Sequence, residues 1–242
     1  MTPDITAKNQ NVMDEPIKDT PSHHTNDLSL STLPDHFKGF LFDLDGTLID
    51  SMAMWRRLMP ELLEEKGIVL PRAVVKSMQG YTLEQVIRHV ASLFSPVLNA
   101  EEMMTRFDSR LREEYSKHLP LKPDALEYLR FLKEKGACTA IVTTTDRIYV
   151  DLLVERLNLN SVIDVILTIA DVGAGKNQPI IYHEAARHFG LEVGDCVVFE
   201  DAIFALNTAR KAGYMTIGVK DPGAMDEALL AESCDLMIEG WK

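Results

Sequence analysis

Beyond Leu119 the chain alternates between short, continuously apolar runs and helical segments, and no other feature constrains the fold as tightly. Helical patterns over 124–135, 148–157, 179–189 and 202–212 separate the runs ACTAIVT, VIDVILTIA, CVVFE and MTIGV, and DLMIE closes the chain. Gly136, Gly190 and Gly213 stand where three of these helices stop, the usual place for a left-handed cap. Strands that are apolar on both sides need cover on both faces, and helical connectors between them imply a parallel sheet. One further strand, in FKGFLFDLDG, lies far upstream. Residues 51–119 read as helical throughout, because Leu58, Leu62 and Leu63, then Leu83, Val86, Ile87, Val90 and Ala91, then Met103, Met104, Phe107 and Leu111 recur at helical spacings. Within it, Gly67 is placed to end the first helix and Asp50 to cap its start. The expected fold is α/β. Residues 37–50 and 120–242 form a doubly wound parallel-sheet core, and residues 51–119 form an inserted α-helical cap domain.

Residues 1–36 depart from this pattern. Nine of them are hydrophobic, and Lys8 and Lys18 face six acids. Such a segment buries too little apolar surface to offset its conformational entropy, so a disordered tail is expected, with His23 and His24 solvated within it. The whole chain has 242 residues, 46% hydrophobic and 26% charged, as globular proteins do. Its net charge of −12 argues against nucleic acid, whose phosphates demand Lys and Arg, and against an anionic membrane surface. Three scattered cysteines, Cys138, Cys196 and Cys234, read as free thiols of a reducing compartment. No basic stretch followed by an apolar one opens the chain, so a cytoplasmic location is expected.

Ligands of open parallel sheets bind beyond the C-terminal strand ends. Asp43, Asp45, Gly46 and Thr47 follow the first strand; Thr143, Thr144 and Thr145 follow the second. Lys176 comes after the third, and Glu200 and Asp201 after the fourth. Four carboxylates on one edge repel one another and raise each other's pKa values. A divalent cation relieves this, and hard oxygen ligands suit Mg²⁺ shared with a phosphate. Hydroxyls and an ammonium then offer donors to that phosphate. One aspartate can attack phosphorus, while a second, two residues on, serves as general acid and base.

These residues carry a resemblance. FDLDGTLIDS resembles motif I of the haloacid dehalogenase-like superfamily, IVTTT its motif II, GKNQPIIYHEAA its motif III and VVFEDAIFALNTARKAGY its motif IV, in the family's order from about residue 38 to 219. The resemblance implies a Rossmann-like core, subfamily IA, with a helical cap. It implies Asp43 as nucleophile, Asp45 as acid then base, and Lys176 as the neutralising cation. Thr143 and the backbone of Thr144 would hold phosphoryl oxygens. Mg²⁺ would be held by Asp43, the Asp45 carbonyl and Asp201, with Glu200 beside it. The chain departs from the pattern at Asn177 and Gln178, at Ala202 in place of Ser, and at Phe204–Ala205 in place of a small, Gly-containing step.

The cap bears on the substrate. SMQGYTLEQV resembles the family's substrate loop, with Gly80 as pivot. In the β-phosphoglucomutase branch a Lys precedes that Gly and an Arg follows three residues later. Here Gln79 and Leu83 stand there, which argues against a bisphosphorylated intermediate, although Arg56, Arg57 or Lys76 could supply a cation. Met52, Met54 and Trp55 offer an apolar pocket wall or cap–core packing. The expected activity is hydrolysis of a small phosphorylated metabolite such as a sugar phosphate, by a monomer or dimer. A β-phosphoglucomutase-like phosphotransferase and a non-catalytic binding protein of the same fold are the alternatives. Dehalogenation is disfavoured because Asp45 is present. His183 and His188, five apart on one helix, read as surface residues.

Overall fold

A computed structural model describes residues 30, 33–78, 83–222 and 227–241. It contains a six-stranded, wholly parallel sheet of order β3-β2-β1-β4-β5-β6. The strands are β1 (Gly39–Phe42), β2 (Cys138–Thr143), β3 (Val165–Thr168), β4 (Cys196–Glu200), β5 (Met215–Val219) and β6 (Leu236–Ile238). From β1 the chain winds outward through β2 and β3, then crosses back to β4 and continues through β5 and β6. The strand order reverses between β1 and β4, and this reversal opens a crevice at their C-terminal ends.

Alternation along the strands feeds two cores. Phe40 and Phe42 of β1, with Phe199 of β4, pack on one face beneath Tyr128 and Trp241. Leu41 and Val198 pack on the other, against Ile181, Tyr182 and Ala185 of α8 (Ile180–Phe189). Gly39 is forced by this packing: a Cβ there would stand 2.7 Å from the Cys196 sulfur. The other core helices are α5 (Ala125–Glu134), α6 (Arg147–Arg156), α7 (Ile169–Val172), α9 (Ile203–Lys211) and α10 (Glu227–Glu232).

Between β1 and β2 the described chain is helical, as expected: α1 (Met52–Glu64), α2 (Arg72–Ser77), α3 (Leu83–Leu93) and α4 (Ala100–Glu113). Leu58, Leu62, Ile87, Val90, Met103, Phe107 and Leu111 are buried together there. A single π-turn, Glu114–His118, follows α4. The segments entering and leaving this cap pair with each other. Ile49 bridges Leu121, Asp50 N–H donates to Pro120 O at 3.0 Å, and Lys122 N–H donates to Leu48 O at 2.8 Å.

Several expectations change. The run VIDVILTIA is a strand only over Val165–Thr168. Asp164 accepts the Thr139 amide at 2.9 Å, and Thr168 with Asp171 forms a capping box that starts α7. The run DLMIE shortens in the same way, because Asp235 accepts the Thr216 amide and hydroxyl and only Leu236–Ile238 pairs. Ser51, not Asp50, occupies the cap position of α1, and it makes no side-chain capping bond. Phe204 points outward, 56% exposed, while Ala205 is fully buried, so the departure in motif IV leaves a small residue facing the sheet. Of the expected tail, 1–29 and 31–32 lie outside the described residues, and Leu30 is buried against the core.

Candidate active site

Asp43 follows β1 directly, and its amide continues the ladder by donating to Phe199 O at 2.9 Å. It is 6% exposed. The chain then turns at Gly46, whose φ of +84° suits glycine. The same glycine leaves room for Asp201, because a Cβ there would overlap its carboxylate. Asp43, Glu200 and Asp201 each bring a carboxylate oxygen within 4.8 Å of the others. Lys176, 3% exposed, reaches in from the loop after α7 and donates to both Asp43 Oδ1 and Glu200 Oε1. Glu200 is further held by the Ala202 amide at 3.2 Å and the Tyr182 hydroxyl at 3.4 Å.

One buried ammonium among three acids leaves negative charge uncompensated. Burial, reinforced by Glu200 and Asp201, drives the Asp43 carboxyl well above its usual range, although Lys176 opposes this. Burial and then Glu200 push Asp201 up to about 7, against the pull of Lys176 and Lys122. Burial opposes the charge on Lys176, yet Asp43 and Glu200 together hold it above its ordinary value. A tight set of hard oxygen donors with surplus negative charge fits a divalent cation of the Mg²⁺ kind.

Asp45 is held differently. Its Oδ1 accepts from the Trp55 indole at 3.1 Å and the Tyr115 hydroxyl at 2.5 Å, and its Oδ2 accepts from the Thr145 hydroxyl at 2.6 Å. Its carboxylate is not among the three that gather at the acidic cluster. Thr143 is buried at the end of β2 and accepts the Thr145 amide at 3.1 Å, while Thr144 is exposed at the rim.

The structure thus brings Asp43, Glu200, Asp201 and Lys176 into one cluster, sets Asp45 beside it against Trp55, and leaves Thr143 and Thr144 on the adjacent strand end. Gln79 and Gly80 lie outside the described residues. Sequence reasoning missed Tyr115, Tyr182 and Lys122. Tyr182 lies within the quoted stretch PIIYHEAA and could have been found there; Tyr115 carries no local signal beyond being an aromatic near the cap's return. His183 is exposed, as expected, and its ring pairs with the Tyr214 hydroxyl at 2.9 Å.

The sequence pattern of the family described as haloacid dehalogenase-like hydrolase matches residues 40–219. The chain belongs to that family. Among relatives of this haloacid dehalogenase-like hydrolase, hexitol phosphatase A of Escherichia coli is 30% identical, over 76% of this chain and 84% of its own length. Validoxylamine A 7′-phosphate phosphatase of Streptomyces hygroscopicus is 28% identical, over 79% of this chain and 91% of its own. In fold, the hydrolase resembles CbbY of Rhodobacter sphaeroides crystallised with phosphate, with a TM-score of 0.70, 22% identity and coverage of 85% and 95%. Among the described residues no helix is long and apolar enough to cross a membrane.

Proposed function

We propose that this enzyme is a Mg²⁺-dependent phosphomonoester hydrolase that acts on a small phosphorylated metabolite, a sugar or polyol phosphate, through an aspartyl-phosphate. The observation that carries the reading is Lys176, buried between Asp43 and Glu200 with Asp201 alongside, at the strand-order reversal. Its ammonium opposes the rise in the Asp43 carboxyl that burial and the neighbouring acids cause, and offsets negative charge where a phosphate would otherwise be repelled.

Asp43 attacks phosphorus and the P–O bond to the leaving group breaks, the departing oxygen taking a proton from Asp45. Asp45 then removes a proton from water as that water attacks the aspartyl-phosphate, releasing inorganic phosphate and restoring Asp43. Lys176 balances charge on Asp43, and Thr143 with the Thr144 amide binds phosphoryl oxygens. Asp43, Asp201 and the Asp45 carbonyl would hold Mg²⁺, with Glu200 beside them, and the cation supplies further charge neutralisation when bound. We place the hydrolase in the cytoplasm, in keeping with its three free cysteines.

The phosphatase reading is favoured over the mutase by Gln79 and Leu83, which stand where the mutase branch carries Lys and Arg; the nearby cap cations are paired with acids. Arg57 is engaged by Glu61 and Glu114, and Arg56 faces Asp221 at 3.5 Å. The names of the two relatives described above point to phosphates of a hexitol and of validoxylamine A. The test is release of inorganic phosphate, with Mg²⁺, from sugar phosphates, nucleotides and phosphoglycolate. Release from sugar or polyol phosphates is expected; no release from any member sinks the reading. Glucose 6-phosphate formed from β-glucose 1-phosphate, with a trace of the bisphosphate, would establish the mutase instead.

A further inference from the structure

We infer that Trp55 and Tyr115 are positioning residues for Asp45, so that the cap itself orients the group that moves the proton. The inference rests on the phosphomonoesterase reading above and adds two residues to it. Asp45 Oδ1 receives both of its hydrogen bonds from the cap, Trp55 in the first turn of α1 and Tyr115 in the π-turn; Oδ2 receives its bond from Thr145 in the core. The carboxylate is thus gripped from both sides of the crevice.

Each cap donor is itself fixed. Tyr115 is fully buried, with its ring 5.7 Å from that of Tyr149. Its carbonyl accepts Arg156 Nε at 3.1 Å, and the Leu119 carbonyl accepts the same guanidinium. A π-turn widens the helix by one residue, and such turns gather at functional sites. Here the widened turn is the one that carries Tyr115, with its hydroxyl on Asp45 and its carbonyl on Arg156. The Trp55 ring stacks on Phe107 of α4, 6.5 Å between centroids. A buried tyrosine hydroxyl or indole N–H needs some acceptor. What distinguishes this pair is that both choose the same oxygen, although 60 positions separate them in the chain.

When Asp45 gives its proton to the leaving oxygen, the P–O bond breaks as the Asp43–phosphorus bond forms; when water attacks, its proton returns to Asp45. Both transfers need the Asp45 oxygen aimed at the reacting atoms, and small misplacements of such groups cost on the order of 10- to 100-fold in rate.

The test uses the full chain with Mg²⁺ and the variants Trp55→Phe and Tyr115→Phe, which remove one donor each and keep a ring. On a sugar phosphate that the native enzyme hydrolyses, kcat is expected to fall about 10-fold per variant at unchanged KM. With p-nitrophenyl phosphate, whose leaving group departs without a proton, the first turnover is expected to keep its native rate and a burst of p-nitrophenolate to precede a slowed steady state. Equal slowing of the first turnover on both substrates, a raised KM at constant kcat, or native kinetics would overturn the inference while leaving the phosphatase intact. If Tyr115→Phe does not fold, Trp55→Phe decides by the same criteria. A native enzyme that releases no phosphate removes both readings together.

Discussion

Asp43 and Asp45 lie two positions apart in one crevice, and their surroundings are built from different chemistry. The sheet edge meets Asp43 with charge: a buried ammonium and two further carboxylates. The cap meets Asp45 with neutral donors, an indole and a phenol. The contrast is physically sensible. In the proposed mechanism, Asp43 as a nucleophile facing a phosphate needs its charge offset, whereas Asp45 as a proton carrier must pass between two charge states and is better served by groups that fix direction without adding charge. In that reading the core supplies the charge around Asp43, and the cap, together with Thr145 of the core, supplies the aim of Asp45.

The strongest way to break this contrast is Asp43→Asn. Turnover should fall to background while circular dichroism stays native, because Lys176 keeps Glu200 as a partner; full activity would refute the division of labour. Next is Lys176→Met, which leaves two buried carboxylates without their cation. A loss of about 3–5 kcal/mol is expected by urea denaturation without metal, since one partner of a buried pair has gone. Adding Glu200→Gln should restore part of it. Third, Mg²⁺ at about 100 times its dissociation constant should stabilise the protein by about 2.7 kcal/mol, read as a rise in Tm. Asp201→Asn should lose that rise, and a cap variant such as Tyr115→Phe should keep it. The smallest effect is expected at Asp108 of α4, which accepts the Tyr149 hydroxyl at 2.7 Å and pairs with Arg112, at the cap–core boundary but away from both aspartates. Asp108→Asn should cost about 0.2–1 kcal/mol, as exposed pairs do. The Arg112 hydrogen bond, helped by Tyr149, holds the Asp108 carboxyl below its ordinary value. Its folded form therefore binds protons less readily than its unfolded form. Its contribution is present above the usual carboxylate range and lost as pH falls through the lowered value, so the variant and native unfolding curves should converge in acid.

The two sides also differed in how legible they were. Strand ends are set by period and by glycine, so Asp43, Lys176, Glu200 and Asp201 could be placed on one edge from local pattern alone, and the structure gathers them there. The shortened strands at Asp164 and Asp235 were not legible, because each depends on a carboxylate reaching the amide of a neighbouring strand. Helix α10 was missed as well; only Leu230 of its six residues is buried, and its pattern is too brief to read. The grip on Asp45 lay furthest from the sequence. Trp55 stood out as an aromatic after motif I, but nothing in EEYSKH announces a π-turn or says that Tyr115 returns to the start of the fold.

The paired segments at Ile49 and Leu121 make the cap, from the core's point of view, a closed loop. Its ends meet across one antiparallel bridge and two backbone hydrogen bonds, and none of these uses a side chain. The catalytic sheet is therefore indifferent to what the loop contains. Any insert whose two ends arrive side by side can be exchanged there without disturbing a strand, provided the new lid again brings donors to Asp45 in place of Trp55 and Tyr115.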